Sequence, residues 1–279
     1  MRIKLRHRIS FAFKDAARGP MFLLRLTPRS HEGQRINSWR IDVSPDCLLK
    51  AGEDHFGNIT HMLSVPGIVS DIAITVQGEI STYDVVGVVR GTAERMPPDI
   101  YLRDTSLTSP DQAVREFAEK ACIETDDTIG KLHALMSAIH SRLGHDIADC
   151  APVGARDALR GGPVCADDHA HLFVACVRGF GLPARCVSGY FIPDEGKPQR
   201  HAWAEVHVAK LGWIGFDTAN DLCPQESHIR TAVGLDSCDA AAVRGLRLDG
   251  MTETLDLSWL LKREQDEKET ASQSQSQSA

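Results

Sequence analysis

The chain has 279 residues, enough for one large domain or two ordinary ones, and its 42% hydrophobic and 25% charged content is that of an ordinary globular protein. The net charge is −7: residues 1–105 carry 14 basic and 12 acidic side chains, and the remainder 17 and 26, so the composition excludes the basic face that general nucleic-acid binding needs. No apolar run approaches the length that crosses a bilayer, which excludes a membrane-spanning helix.

The first segment is basic, but Ile3, Leu5, Ile9, Phe11 and Phe13 share one parity, a strand pattern rather than a signal peptide. A cytoplasmic location is expected, and with it free thiols for the eight cysteines. There is no C-x-x-C pair to suggest a structural zinc site. Strands are predicted over residues 3–13, 35–43, 58–65, 69–76 and 83–89, separated by turn signals such as Ser44-Pro45-Asp46 and Val65-Pro66-Gly67. Residues 1–105 therefore read as a β-sandwich or barrel-like domain.

Beyond Met96-Pro97-Pro98 the pattern turns helical, and a second domain is predicted over residues 106–261. Ser109-Pro110-Asp111-Gln112 is a capping-box pattern predicting a helix to about residue 123. A second helix is predicted over 128–143, with Ile129, Leu132, Met136, Ile139 and Leu143 on one stripe, and a helical turn at 157–160. Gly161-Gly162-Pro163 breaks the chain before a helix over about 166–180. Strands follow at 185–191, 201–208 and 213–216, the last two joined as a hairpin. The tail, 262–279, is polar and repetitive and is predicted to be disordered. The fold class is thus α+β.

Three residues sit where these elements begin or end. Cys165 opens the helix after the glycine-rich break, where the helix dipole and free N–H groups favour a thiolate. Its own amide is also a candidate oxyanion donor. His201 starts a strand and suits a general base, and Asp217 ends the next strand, where hairpin spacing is compatible with a bond to His201. Taken singly, each has an ordinary structural alternative: a buried thiol, a surface histidine, a loop-capping aspartate. Asp167 and Asp168 fit the first helical turn, where negative charge is favourable, although either is placed to touch substrate. Tyr190 and Trp203 are candidates to line a cleft, or core aromatics. Cys165, His169 and His171 do not make a convincing metal set, because His171 would leave the shared helix face. No metal or cofactor is expected.

Several segments taken together resemble the bacterial transglutaminase-like family, described as cysteine-protease-like proteins. They are Val164-Cys165 with Asp167, Ala170 and His171; Gly181-Leu182-Pro183-Ala184-Arg185 continuing to Tyr190; His201-Ala202-Trp203-Ala204-Glu205-Val206; and Gly212-Trp213 to Phe216-Asp217, with Asn220 beyond. Asp54, Phe56, Gly57 and Asn58 carry the likeness into the N-terminal half. The resemblance implies an N-terminal β-domain and a papain-like core, with Cys165 as nucleophile, His201 as base and Asp217 as orienting group. The chain departs from the family at Pro163, which is compatible with a tight turn before the helix, at Ala166 and Asp168, which flank the nucleophile and bear on substrate preference, and at Ala219, where the family often has proline. The expected activity is acyl transfer from amide or peptide bonds, with a peptide or protein as substrate and no nucleic-acid or membrane partner. Hydrolysis is favoured over amine transfer because water needs no dedicated acceptor site. A non-catalytic scaffold, with the β-domain binding a partner, is the alternative of another class.

Overall fold

A computed structural model describes residues 1–123, 127–144, 151–193, 199–245 and 262–263. The N-terminal strands are β1 (Arg2–Arg18), β2 (Met21–Thr27), β3 (Gln34–Ser44), β4 (Leu48–Glu53), β5 (Ile59–Ser64), β6 (Ile68–Thr82) and the short β7 (Val88–Val89). The alternation read in residues 3–13 is real: Ile3, Leu5, Ile9, Phe11 and Phe13 are all buried. β1 and β6 run longer than the alternation predicts, and β1 is carried past Ala12 by a shift of register against β6. β2 and β4 are additional to the predicted strands; β2 is a nearly continuous apolar run and β4 is mostly exposed, so neither alternates. The strand predicted over 83–89 shrinks to two residues, because Val86 and Gly87 adopt positive φ in succession and break the extended backbone.

A 3-10 turn (Pro98–Leu102) leads to α1 (Gln112–Ala121), α2 (Thr128–Leu143), α3 (Ala155–Arg160) and α4 (Ala166–Gly179). α1 begins later than the capping-box pattern places it: Asp111, not Ser109, is the cap, its carboxylate accepting the Val114 N–H at 3.0 Å. α2 occupies the predicted residues, capped by Asp127 and closed by Gly144 at φ 73°. In α4, Ala166 and every residue from Asp168 to Arg178 are buried, so this helix has no polar face and runs through the middle of the domain. β8 (Ala184–Phe191), β9 (Gln199–Val208), β10 (Gly212–Phe216), β11 (His228–Gly234), α5 (Ser237–Ala240), β12 (Val243–Gly245) and β13 (Lys262–Arg263) complete the chain. β11 and β12 are additional to the prediction. Lys262 and Arg263, assigned by sequence to the disordered tail, pair with β1; the rest of the tail lies outside the described residues.

Two four-stranded antiparallel sheets, ordered β13-β1-β6-β3 and β12-β2-β5-β4, face each other as a sandwich around Ile9, Phe11, Leu24, Leu63, Ile72 and Ile74. The third sheet, β11-β8-β9-β10-β7, is the floor of the second domain. One face packs under α4, with Phe173 against Phe216, Ala204 and Val206 among the residues of that core. The other face carries Val187, Trp203, Trp213 and Val233 and is covered by Phe56 and Tyr101 from the first part of the chain. A buried ion network crosses this second interface. Arg185, fully buried, donates to Glu94 and Glu205 at 2.7–3.0 Å and lies 3.7 Å above the Trp213 ring, while Arg230 closes on Glu205 at 2.7 Å. No helix among the described residues is long and apolar enough to cross a membrane.

Candidate active site

Cys165 is the cap residue of α4, with extended backbone (φ −114°, ψ 173°) just before the first helical turn. Gly161 and Gly162, at φ 108° and 136°, give the approach a backbone that residues with a Cβ rarely adopt. The residue that fixes Cys165 is Asp168, three positions on. Its Oδ2 accepts the Cys165 amide at 3.1 Å and lies 3.3 Å from Sγ; its Oδ1 accepts the amides of Val153 and Gly154 at 2.8 and 3.0 Å. This is a capping box that also ties the loop before α3 to the start of α4. Burial opposes ionisation of Asp168, but hydrogen bonds from His171, Gly154 and Cys165 outweigh it and hold the carboxyl below its usual range. The expected oxyanion role of the Cys165 amide meets a competing partner here, since that N–H is already donated to Asp168.

Asp167, beside it, keeps part of its surface in solvent. Burial raises its pKa, against the opposing pull of His171, Arg200 and His201. It therefore lies within electrostatic reach of the histidine on β9.

β9 and β10 form the predicted hairpin, with Gly212 opposite Val208 and Phe216 opposite Ala204. In that register Asp217 falls opposite Trp203 and diagonally across from His201, on the same face of the sheet. The diagonal is short enough for contact: Nε2 of His201 meets Oδ2 of Asp217 at 2.7 Å, with both side chains buried. Asp217 collects four further donors. Asn220 Nδ2 and His228 Nε2 reach Oδ2 at 2.8 and 3.0 Å, and the amides of Ala219 and Asn220 reach Oδ1 at 3.2 and 3.3 Å. Burial alone would raise its pKa, but the charge and hydrogen bonds of His201 and His228 dominate and hold the carboxyl far below the usual carboxylate range.

His228, the first residue of β11, is the member the sequence reading missed. It stands alone in Glu226-Ser227-His228, after a loop without periodicity, and nothing local marks it. Its Nδ1 accepts the Gln225 amide at 3.3 Å and lies 3.2 Å from the Ser227 hydroxyl. Burial lowers its pKa from 6.5, against the opposing pull of Asp217.

His201, Asp217 and His228 can each offer a ligand atom, all within 4.8 Å of one another. Hydrogen bonding accounts for them better than coordination. A neutral histidine bound to a metal through Nε2 carries its proton on Nδ1 and donates it. Nδ1 of His228 instead accepts a backbone N–H, so the neutral ring carries its proton on Nε2 and donates to Asp217.

Trp203 lies in the core beside the pair, its ring 6.2 Å from that of His201 and 5.3 Å, edge-on, from that of His228. Tyr190 is buried at the seam with the sandwich, its hydroxyl 3.0 Å from Nδ1 of His7. His169 and His171 are fully buried in α4, where His171 Nε2 accepts the Ser237 amide at 3.0 Å.

Residues 3–81 match the bacterial transglutaminase-like N-terminal region, and residues 115–218 match the transglutaminase-like superfamily. An uncharacterized protein of Mycobacterium tuberculosis is 25% identical over 273 residues, covering 88% of this chain and 87% of the relative. One from Mycobacterium leprae is 24% identical over 268 residues, covering 88% and 92%. A crystal structure of a candidate cysteine protease from Cytophaga hutchinsonii superposes with a TM-score of 0.76 at 19% identity, covering 94% of this chain and 91% of that one. That likeness extends over both domains and concerns the fold.

Proposed function

We propose, from the premise that this chain is a bacterial transglutaminase-like protein with both the N-terminal region and the core of that family, that it is a thiol-dependent acyl-transfer enzyme acting on amide or peptide bonds. The observation that carries the proposal is the buried 2.7 Å bond between His201 and Asp217, on a sheet packed against the helix that Cys165 opens. Asp217 engages Nε2 of His201, and the proposal assigns to Nδ1 the proton exchange with substrate and thiol. In the first half-reaction the Cys165 proton passes to Nδ1 and the thiolate attacks the amide carbonyl. The C–N bond then breaks as Nδ1–H protonates the leaving amine, and an acyl-thioester remains. In the second, water gives a proton to His201, attacks the thioester, and the thiol is restored. The positive end of α4 favours both the thiolate and the developing oxyanion.

The substrate is a peptide or protein, and hydrolysis is the favoured outcome. Asp167 is the cleft residue best supported, being partly exposed next to Cys165 and electrostatically coupled to His201. A cytoplasmic location belongs to the same proposal. The test is a library of peptides and isopeptides, offered with and without an added primary amine and read by product mass. Hydrolysed fragments that disappear in the Cys165→Ala variant are expected. Turnover retained in Cys165→Ala rejects the proposal, and products carrying the amine reassign the enzyme as a transferase.

A further inference from the structure

We propose that His228 is a positioning residue of this catalytic centre: its Nε2–H is a second imidazole donor to Oδ2 of Asp217, fixing the carboxylate beside His201 and limiting the basicity that Asp217 confers on it. The inference rests on the triad reading above and goes beyond it, because it assigns a tautomer and a role to a residue outside the three.

Nδ1 of His228 faces the Gln225 N–H, so in the neutral ring the proton must sit on Nε2, and Nε2 points at Asp217. A hydrogen bond from a neutral imidazole disperses charge on Oδ2. That lowers the pull of Asp217 on the His201 imidazolium and so moderates the pKa of His201. The groups facing His228 are Asp217 at the end of β10, His201 and Glu205 on β9, and Arg230 on β11 itself. His31 faces it from the N-terminal part of the chain, across a cavity of about 40 Å³ that the two histidines share with Gln34, Trp203, Glu205 and Arg230.

The ring is also held mechanically, between Phe191 at 4.8 Å and Trp203 at 5.3 Å. Its strand is fastened to the sandwich. Gln34 exchanges two 2.9 Å bonds with the backbone of Arg230, Thr82 donates to the Glu226 carbonyl at 2.6 Å, and Asn58 exchanges bonds of 2.7 and 2.8 Å with Val233. The N-terminal domain thus reaches the catalytic carboxylate through β11, from the side away from α4.

The test compares His228→Phe, which fills the site without a donor, with His228→Gln, which retains an N–H. Alkylation of Cys165 by iodoacetamide is followed against pH, so the result does not depend on having found a substrate, and kcat is measured on any peptide that is turned over. In His228→Phe the upper inflection, set by the His201 imidazolium, is expected to rise by on the order of one pH unit. The rate constant kcat should fall roughly tenfold to a hundredfold with KM little changed. His228→Gln is expected to restore both in large part. An unchanged inflection in His228→Phe, or a glutamine variant as impaired as the phenylalanine one, overturns the assignment. Should His228→Phe fail to fold, ¹⁵N-histidine spectra of the unmodified protein decide: a neutral His228 protonated on Nε2 supports the inference, and protonation on Nδ1 ends it.

Discussion

Asp217 is the residue on which the buried polar chemistry converges, with five donors on its two oxygens. Replacing it by asparagine puts an N–H where donors already point and reverses the tautomer that His201 must hold. We expect Asp217→Asn to lower kcat by on the order of 10³-fold or more, as in serine triads; an unchanged rate would move the orienting role to another group. Thiol reactivity separates the cysteines in the same way. Burial pushes the thiols of Cys176 and Cys186 far up, whereas Cys165 stands at a helix N-terminus. Iodoacetamide near neutral pH should therefore modify Cys165 well before either, and equal rates would remove the activated thiol from the mechanism. At this scale the sequence marked residues that lie at or near element ends: Cys165 caps α4, Asp217 follows β10, and His201 is the third residue of β9, which begins two positions before the strand start read from the sequence. Asp168 was legible as a first-turn carboxylate, but not as the tether of the Cys165 amide and the 153–154 backbone, because those partners meet only in three dimensions. His228 was illegible because its meaning lies in a carboxylate eleven positions back, across a loop without periodicity.

At the scale of elements, α4 shows why periodicity serves some segments and not others. α2 keeps a buried stripe of Leu132, Leu135, Met136 and Ile139, and its limits follow the pattern. α4 is buried all round, so its position came from the glycines before it and Gly181 after it rather than from amphipathicity. The same holds for β9: the alternation of Ala202, Ala204 and Val206 with Trp203 and Glu205 suggests one wet face, yet both faces are buried because the sandwich covers the second. Phe173, fully buried on α4 against Phe216, should be costly to truncate. Phe173→Ala is expected to destabilise by about 3–5 kcal/mol, measured by urea unfolding. A loss under 1 kcal/mol would mean that the site collapses around the cavity.

At the scale of the molecule, buried charge ties β8, β9 and β11 together, and Arg185 extends it to Glu94 in the first part of the chain. Glu205, between Arg185 and Arg230, loses solvation on burial, but the two guanidinium groups prevail and bring its pKa from 4.5 to about 2. A carboxyl depressed in the folded state contributes stability above its unfolded pKa, and that contribution is lost as pH falls through the folded value. The contribution should be constant above about pH 4.5 and fade toward pH 2, amounting to about 3 kcal/mol. Glu205→Gln should flatten this part of the pH–stability curve while lowering stability at neutral pH. A curve of unchanged slope would place the acid sensitivity elsewhere.

The sheet orders carry a consequence for how the protein is made. β7, from the first part of the chain, edges the sheet β11-β8-β9-β10-β7, while β12 and β13, later in the sequence, edge the two sheets of the sandwich. On the ribosome the sandwich therefore waits, with the outer backbone of β1 and β2 unpaired, until residues 243–245 and 262–263 have been synthesised. Two sheet edges of the nascent chain thus stay open while the residues between the sandwich and those strands, α4 and Cys165 among them, are made.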